Sequence, residues 1–337
     1  MSETEREVNA EETLEDRGLE APAPRPRWVP RWLGWLWLLC DRVLFEPRRR
    51  ADRESAEFMR TPAAKRADWK VMWVMVTAAV SLTLLDYVAM SNRYGSVVAV
   101  IDFFRMDGLA CRFDAWMDEW GLARHCAGMV EYNAGQTVAQ VDGYRLNRLT
   151  YWAAGCFFVY FVIPALVIKL VLRERLRDYG LAFKGAFKDW WIYAVMFAIV
   201  APLVLYVARD PHFQSTYPFY QPADGESLWP RFWIWELLYF SQFFALEFFF
   251  RGFMVHGTRH RLGFYSVFAM MIPYCMIHFG KPMSETLAAI IAGIVLGSLA
   301  LKTRSIWMGV AIHATVALSM DFASLQQKGY FSGSGGG

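Results

Sequence analysis

Apolar runs of about the length of a membrane crossing recur along this chain, separated by short polar connections. They occupy residues 71–90, 149–172, 190–208, 231–261, 263–279, 284–301 and 306–325. A helix needs about 20 predominantly apolar residues to cross the hydrocarbon layer. The pattern therefore predicts an all-α, polytopic membrane bundle of about seven spans. Pro164 falls inside the second run and predicts a kink that neighbouring helices can tolerate. Ser284 is the expected N-cap of the sixth helix.

The polar stretches divide the rest of the chain. Residues 1–26 are acidic and then Ala/Pro-rich, a composition that cannot bury enough apolar surface to fold. Residues 27–69 open on a run of tryptophan, leucine and arginine, too short and too interrupted to span, that suits the headgroup region. A signal-anchor that does cross is the other reading of that run. Basic residues gather between Pro47 and Arg66, and again at 169–188, 259–261 and 302–304. These segments fall on alternate connections, so the positive-inside rule puts the N-terminus in the cytoplasm. The expected organisation is a disordered terminus (1–26), an interfacial and basic cytoplasmic segment (27–69) and an N-terminal helical block (70–230). The last of these carries an extracytoplasmic loop at 91–147. A second helical block (231–325) and a flexible tail (326–337) follow. The start lacks the basic-then-apolar pattern of a cleavable signal peptide.

Composition agrees with the pattern: of 337 residues, 55% are hydrophobic and 17% aromatic, which places the chain among helical membrane proteins. A net charge of +3 adds little, and no nucleic-acid partner is expected. The five cysteines include no metal-type CxxC pair. Cys111 and Cys126 lie in the 91–147 loop, where a disulfide and two free thiols both remain open.

Polar anomalies inside the apolar runs carry the candidate chemistry. Glu247 and Arg251 stand four residues apart in an aromatic helix, a spacing that puts both on one face. His278 and His313 are isolated imidazoles in the fifth and seventh runs. Ionisable groups at membrane depth are expensive and commonly line a cavity or pathway. Counting from a turn near Leu262, Glu247 and His278 reach matching depths of about 22–24 Å, while His313, counted from Arg304, reaches about 14 Å. Each also has a structural reading: an ion pair locking two helices, or an imidazole strut between helices. Glu236 and Asp321 fall near span ends, where charge is cheap. His256 and His260 belong to a basic end and are expected to be solvated. Gly293 and Gly297 form a GxxxG in the sixth run, read as packing.

In this order the residues resemble the CAAX protease and bacteriocin-processing family of intramembrane endopeptidases, which includes the type II CAAX prenyl endopeptidases. The family's first motif, Glu-Glu-three residues-Arg, reads Leu246-Glu247-Phe248-Phe249-Phe250-Arg251. The second, an aromatic three residues before His, reads Tyr274 to His278. The third, His followed four residues on by Asn or a small residue, reads His313 to Ala317. The resemblance covers residues 232–325. It departs from the family at Leu246, where the water-activating Glu is usual, and at Ala317, where an Asn is thought to hold the oxyanion.

The resemblance implies an intramembrane endopeptidase whose catalytic residues are Glu247, Arg251, His278 and His313. Its implied substrates are peptide bonds near the terminus of membrane-associated or lipidated proteins, and its implied place is a cytoplasmic (inner) membrane. Glu247 is the expected general base, one position round the helix from the family's. Two His and one Glu are also the ligand set of a catalytic zinc, but no HExxH spacing is present, so the cofactor stays unassigned. A non-catalytic binding or chaperone-like module on the same fold is the alternative.

Overall fold

The computed structural model describes residues 24, 26, 29–66, 68–90, 144–183, 185–223, 226–279, 281 and 283–331. Cys111 and Cys126, and most of the expected disordered terminus and tail, lie outside these residues. Among the described residues the regular structure is helical throughout. In chain order the helices are α1 (Gly34–Cys40), α2 (Glu46–Met59), α3 (Trp69–Leu84), α4 (Tyr144–Phe157), α5 (Ile163–Leu166) and α6 (Trp190–Val207). They continue with α7 (Pro211–Thr216), α8 (Arg231–Glu247), α9 (His256–Leu262), α10 (Tyr265–Met276), α11 (Met283–Thr303) and α12 (Trp307–Gln327).

Five helical stretches are long and apolar enough to cross a membrane: Trp69–Ala89, Leu146–Val171, Trp190–Val207, Glu285–Thr303 and Trp307–Gln327. α6 is apolar all round, with Ile199, Leu203 and Tyr206 exposed, which suits contact with lipid. Two of the seven expected runs differ. Residues 231–262 form a long helical stretch, but Arg231, Glu236, Glu247 and Arg251 dilute its apolar character. α10 has only 12 residues, about 18 Å, which is short of the hydrocarbon thickness. The sixth helix begins at Met283, one residue before the expected cap.

The chain divides into two compact units, one of residues 1–72 and 250–305, the other of 73–249 and 306–337. In the first unit α10 packs on α11 through the two glycines. A Cβ at Gly297 would come within 2.9 Å of the Met270 and Val267 side chains, so the close approach depends on glycine. α2 lies across the turn between α9 and α10. Asp52 accepts from the Phe264 N–H at 3.0 Å, and the Ser55 hydroxyl donates to the Arg261 carbonyl at 3.1 Å. Gly263 closes that turn at φ 56°, with Asp52 Oδ1 2.7 Å from where its Cβ would stand. The α2 residue Glu46 meets Lys302 of α11 at 3.0 Å with both side chains largely buried.

This cover overturns the expectation of solvated imidazoles. His256 is only 3% exposed, and His260 is half-buried and bonds to Asp68 at 2.8 Å. The basic residues at this end are roofed by chain from the N-terminal segment rather than by water.

In the second unit α8 packs on α4 around Trp152, Trp235, Tyr239 and Phe219. The Gln242 amide donates to Cys156 Sγ at 2.9 Å across the same interface. α12 packs against both α8 and α6. Pro164 sits in a short α-helical piece between π-helical turns at Phe158–Val162 and Val167–Val171, so the helix continues past the N–H that proline lacks. The segment after this helix fixes the start of α12. The Ile306 N–H donates to the Gly180 carbonyl at 2.9 Å, Trp307 Nε1 donates to the Leu181 carbonyl at 3.3 Å, and Phe183 stacks on Trp307.

Candidate active site

Glu247 closes α8 and is 1% exposed, whereas its neighbour Leu246 is only half-buried. On this helix it is position 247 that turns inward. A π-helical segment, Phe248–Val255, follows at once, a form that recurs at functional sites.

A buried carboxylate must find a partner to remain charged. Here the partner is His313 of α12, whose Nδ1 lies 2.7 Å from Glu247 Oε1. Three features hold this pair. Phe243, one turn before Glu247, stacks on the His313 ring with centroids 5.7 Å apart and planes 18° from parallel. Tyr239 packs behind Phe243 at 4.4 Å. Gly309, one turn before His313, lies against the other carboxylate oxygen, and a Cβ there would stand 3.0 Å from the carboxyl carbon. The carboxylate is therefore boxed between an imidazole and a helix backbone.

An ionised carboxylate only accepts, so a proton on Nδ1 is the tautomer that suits this contact, and it would leave Nε2 as the basic nitrogen. The imidazole side chain is 20% exposed while the carboxylate is enclosed. The more accessible end of the pair is the ring.

Arg251 and His278 lie in the other unit, where Tyr274 gathers them. The Arg251 guanidinium is fully buried, with Cζ 4.0 Å above the Tyr274 ring, a cation–π contact worth more when desolvated. Phe250 meets the same ring edge-on at 5.2 Å. His278 follows α10, with Nδ1 2.8 Å from the Tyr274 carbonyl and its ring 5.0 Å from the Tyr274 ring. A carbonyl only accepts, so this imidazole also carries its proton on Nδ1. The Thr286 hydroxyl donates to the His278 carbonyl at 3.0 Å.

The structure thus brings the expected residues together as two groups, Glu247 with His313 and Arg251 with His278 around Tyr274. Ala317, at the family's Asn position, packs into the apolar core with Trp235 and Phe232 and offers no donor. Among the described residues no three His, Cys, Asp or Glu side chains form a metal-binding group.

Sequence reasoning missed several participants. Gly309 and Phe243 shape the Glu247–His313 pair, and the spacing of four from Gly309 to His313 and from Phe243 to Glu247 was the available signal. Glu236 and Asp321 were expected at cheap, wet span ends. Instead Asp321 is fully buried on α12, and the half-buried Glu236 of α8 lies against it. Asp321 is inside because α12 extends to Gln327.

An apolar helical bundle with a boxed Glu–His pair defines a membrane protein with a candidate hydrolytic site. Residues 228–319 match a family model described as "Type II CAAX prenyl endopeptidase Rce1-like". That segment thus belongs to this CAAX protease family, and it contains Glu247, Arg251, His278 and His313. With the apolar helices, this indicates a multi-pass membrane protein that carries a segment of a protease family. Among curated proteins and among solved structures nothing matches the chain.

Proposed function

We propose that this protein is an intramembrane endopeptidase that hydrolyses peptide bonds near the terminus of membrane-associated or lipidated protein chains. The observation that carries the reading is the 2.7 Å contact between Glu247 Oε1 and His313 Nδ1 inside an apolar bundle. A carboxylate on Nδ1 fixes the ring's orientation and raises the basicity of Nε2.

The pair acts as one base. A water beside His313 Nε2 attacks the scissile carbonyl carbon as its proton passes to the ring, and the Glu247 charge stabilises the imidazolium. The C–N bond then breaks, and the imidazolium returns the proton to the leaving amine. In this division Glu247 holds and charges the base instead of meeting the water itself. Arg251 and His278, the remaining motif residues, are proposed to serve the same reaction, and the cofactor stays unassigned. The membrane is a cytoplasmic one, with the N-terminus on its cytoplasmic face.

Leu246 and Ala317 favour a second reading, a family fold that binds without cutting. Co-expression with tail-anchored or lipidated candidate substrates separates the two. Cleavage by the wild type that is lost in Glu247→Gln, His278→Ala and His313→Ala, at equal membrane levels, supports the peptidase. Cleavage surviving in Glu247→Gln and His313→Ala removes the proposed base.

A further inference from the structure

The first unit carries a charge arrangement that the proposed reaction does not use. Asp41, Glu46 and Asp68 face Arg49, Lys302 and His260 respectively. Glu54 of α2 instead faces three guanidiniums. Arg50 approaches from one turn earlier at 3.6 Å, Arg259 from α9 at 3.4 Å, and Arg304 from the turn after α11 in a short contact. One carboxylate cannot neutralise three cations, so a net positive charge of about two stays in one place.

The guanidiniums keep most of their capacity to bind. Each has more N–H donors than its contact with Glu54 uses, and Arg50, Arg259 and Arg304 are 47%, 26% and 30% exposed. Arg304 is held at φ 56°, a left-handed backbone that a side chain resists. Its guanidinium reaches Glu54 from that position.

A second observation points to a ligand. His256, one turn before Arg259 on the same helix, is 3% exposed, and among the described residues neither of its ring nitrogens has a hydrogen-bond partner. It is close enough to Arg304 and Lys70 to feel their charges. An enclosed imidazole with unspent hydrogen-bonding capacity, set among surplus cations, suits an anionic oxygen. Guanidiniums in a converging fork suit phosphate in particular, because planar N–H pairs match its oxygens.

The surroundings identify the phosphate's source. The cluster lies at the ends of α9 and α11, the latter apolar enough to span. α2 follows directly on a segment that exposes Trp32, Trp35, Leu36 and Leu38, residues suited to the headgroup layer. We infer that Arg50, Arg259, Arg304 and His256 form a binding site for the phosphate of an anionic phospholipid headgroup, with Glu54 as the internal counter-ion that holds the arginines apart until lipid arrives. Basic pockets at the ends of membrane helices commonly take such headgroups.

The test uses the full chain in nanodiscs of phosphatidylcholine alone or with one-third phosphatidylglycerol, read by thermal unfolding. Phosphatidylglycerol should raise the wild-type Tm by several degrees. Arg50→Gln with Arg259→Gln should abolish most of that increment, whatever its own Tm in phosphatidylcholine. Arg66→Gln, an exposed change outside the four residues of the site, should keep it. Glu54→Gln should keep or enlarge the increment, since it removes the competing anion. An equal increment in wild type and the double variant overturns the site, as does no increment in wild type. Equal loss in Arg66→Gln shows general surface attraction and overturns it too. A wild-type shift with inorganic phosphate in phosphatidylcholine, and none with phosphatidylglycerol, overturns the lipid assignment.

Discussion

Gly309 lies directly against the Glu247 carboxylate, so the absence of a side chain at one position fixes a charged group on another helix. The relationship is steric, and it sets the distance from α8 to α12 where Glu247 meets His313.

Gly309→Ala tests that relationship. The added methyl overlaps the carboxylate and must push Glu247, α12 or both aside. A shift of about 1 Å in a catalytic group can cost about 100-fold in rate, while overpacking costs about 1–3 kcal/mol. The expected outcome is a folded protein, a few degrees less stable, with kcat/KM reduced by about 100-fold. Unchanged cleavage in Gly309→Ala would show that the Glu247 position is not critical.

Tyr274 holds Arg251 by the face of its ring. Tyr274→Phe keeps that face and should leave thermal stability nearly unchanged. Tyr274→Leu removes it, at a cost of about 2 kcal/mol or more from the lost cation–π contact. Thermal unfolding of both variants checks the order, which reverses if the hydroxyl rather than the ring is what matters.

Glu46 and Lys302 form an enclosed ion pair between α2 and α11. Glu46→Gln leaves a buried ammonium beside a neutral amide and should destabilise by about 3–5 kcal/mol. Replacing both, with Glu46→Leu and Lys302→Met, should recover much of that loss, because the desolvation cost goes with the charges. Chemical denaturation of the single and double variants measures the difference. A double variant as weak as the single would point to packing instead of charge.

Much of the architecture was legible because membrane spans announce themselves by apolar length, and all five qualifying helices fall on runs visible in the sequence. The pairing of Glu247 with His313 was harder. Rise-per-residue counting put them about 8–10 Å apart in depth, yet they are in contact. The π-helical turns after Glu247 account for part of this, since more residues per turn means less advance per residue. The apolar pattern does not mark that change of pitch. Gly309 and Phe243 went unread because each matters only through a neighbour on another helix or turn. Asp321 and His256 were misplaced because sequence distance from a span end says nothing about what chain covers it.

The most direct test of the account is a double-mutant cycle on cleavage of a membrane-anchored substrate, using Glu247→Gln, His313→Asn and the two together, at matched membrane levels. If the pair works as one base, each single variant should lose at least 100-fold in kcat/KM, and the double should be little worse than the more damaged single. Losses that multiply in the double variant, or cleavage that persists with His313→Asn, would contradict a Glu247–His313 unit as the source of water activation.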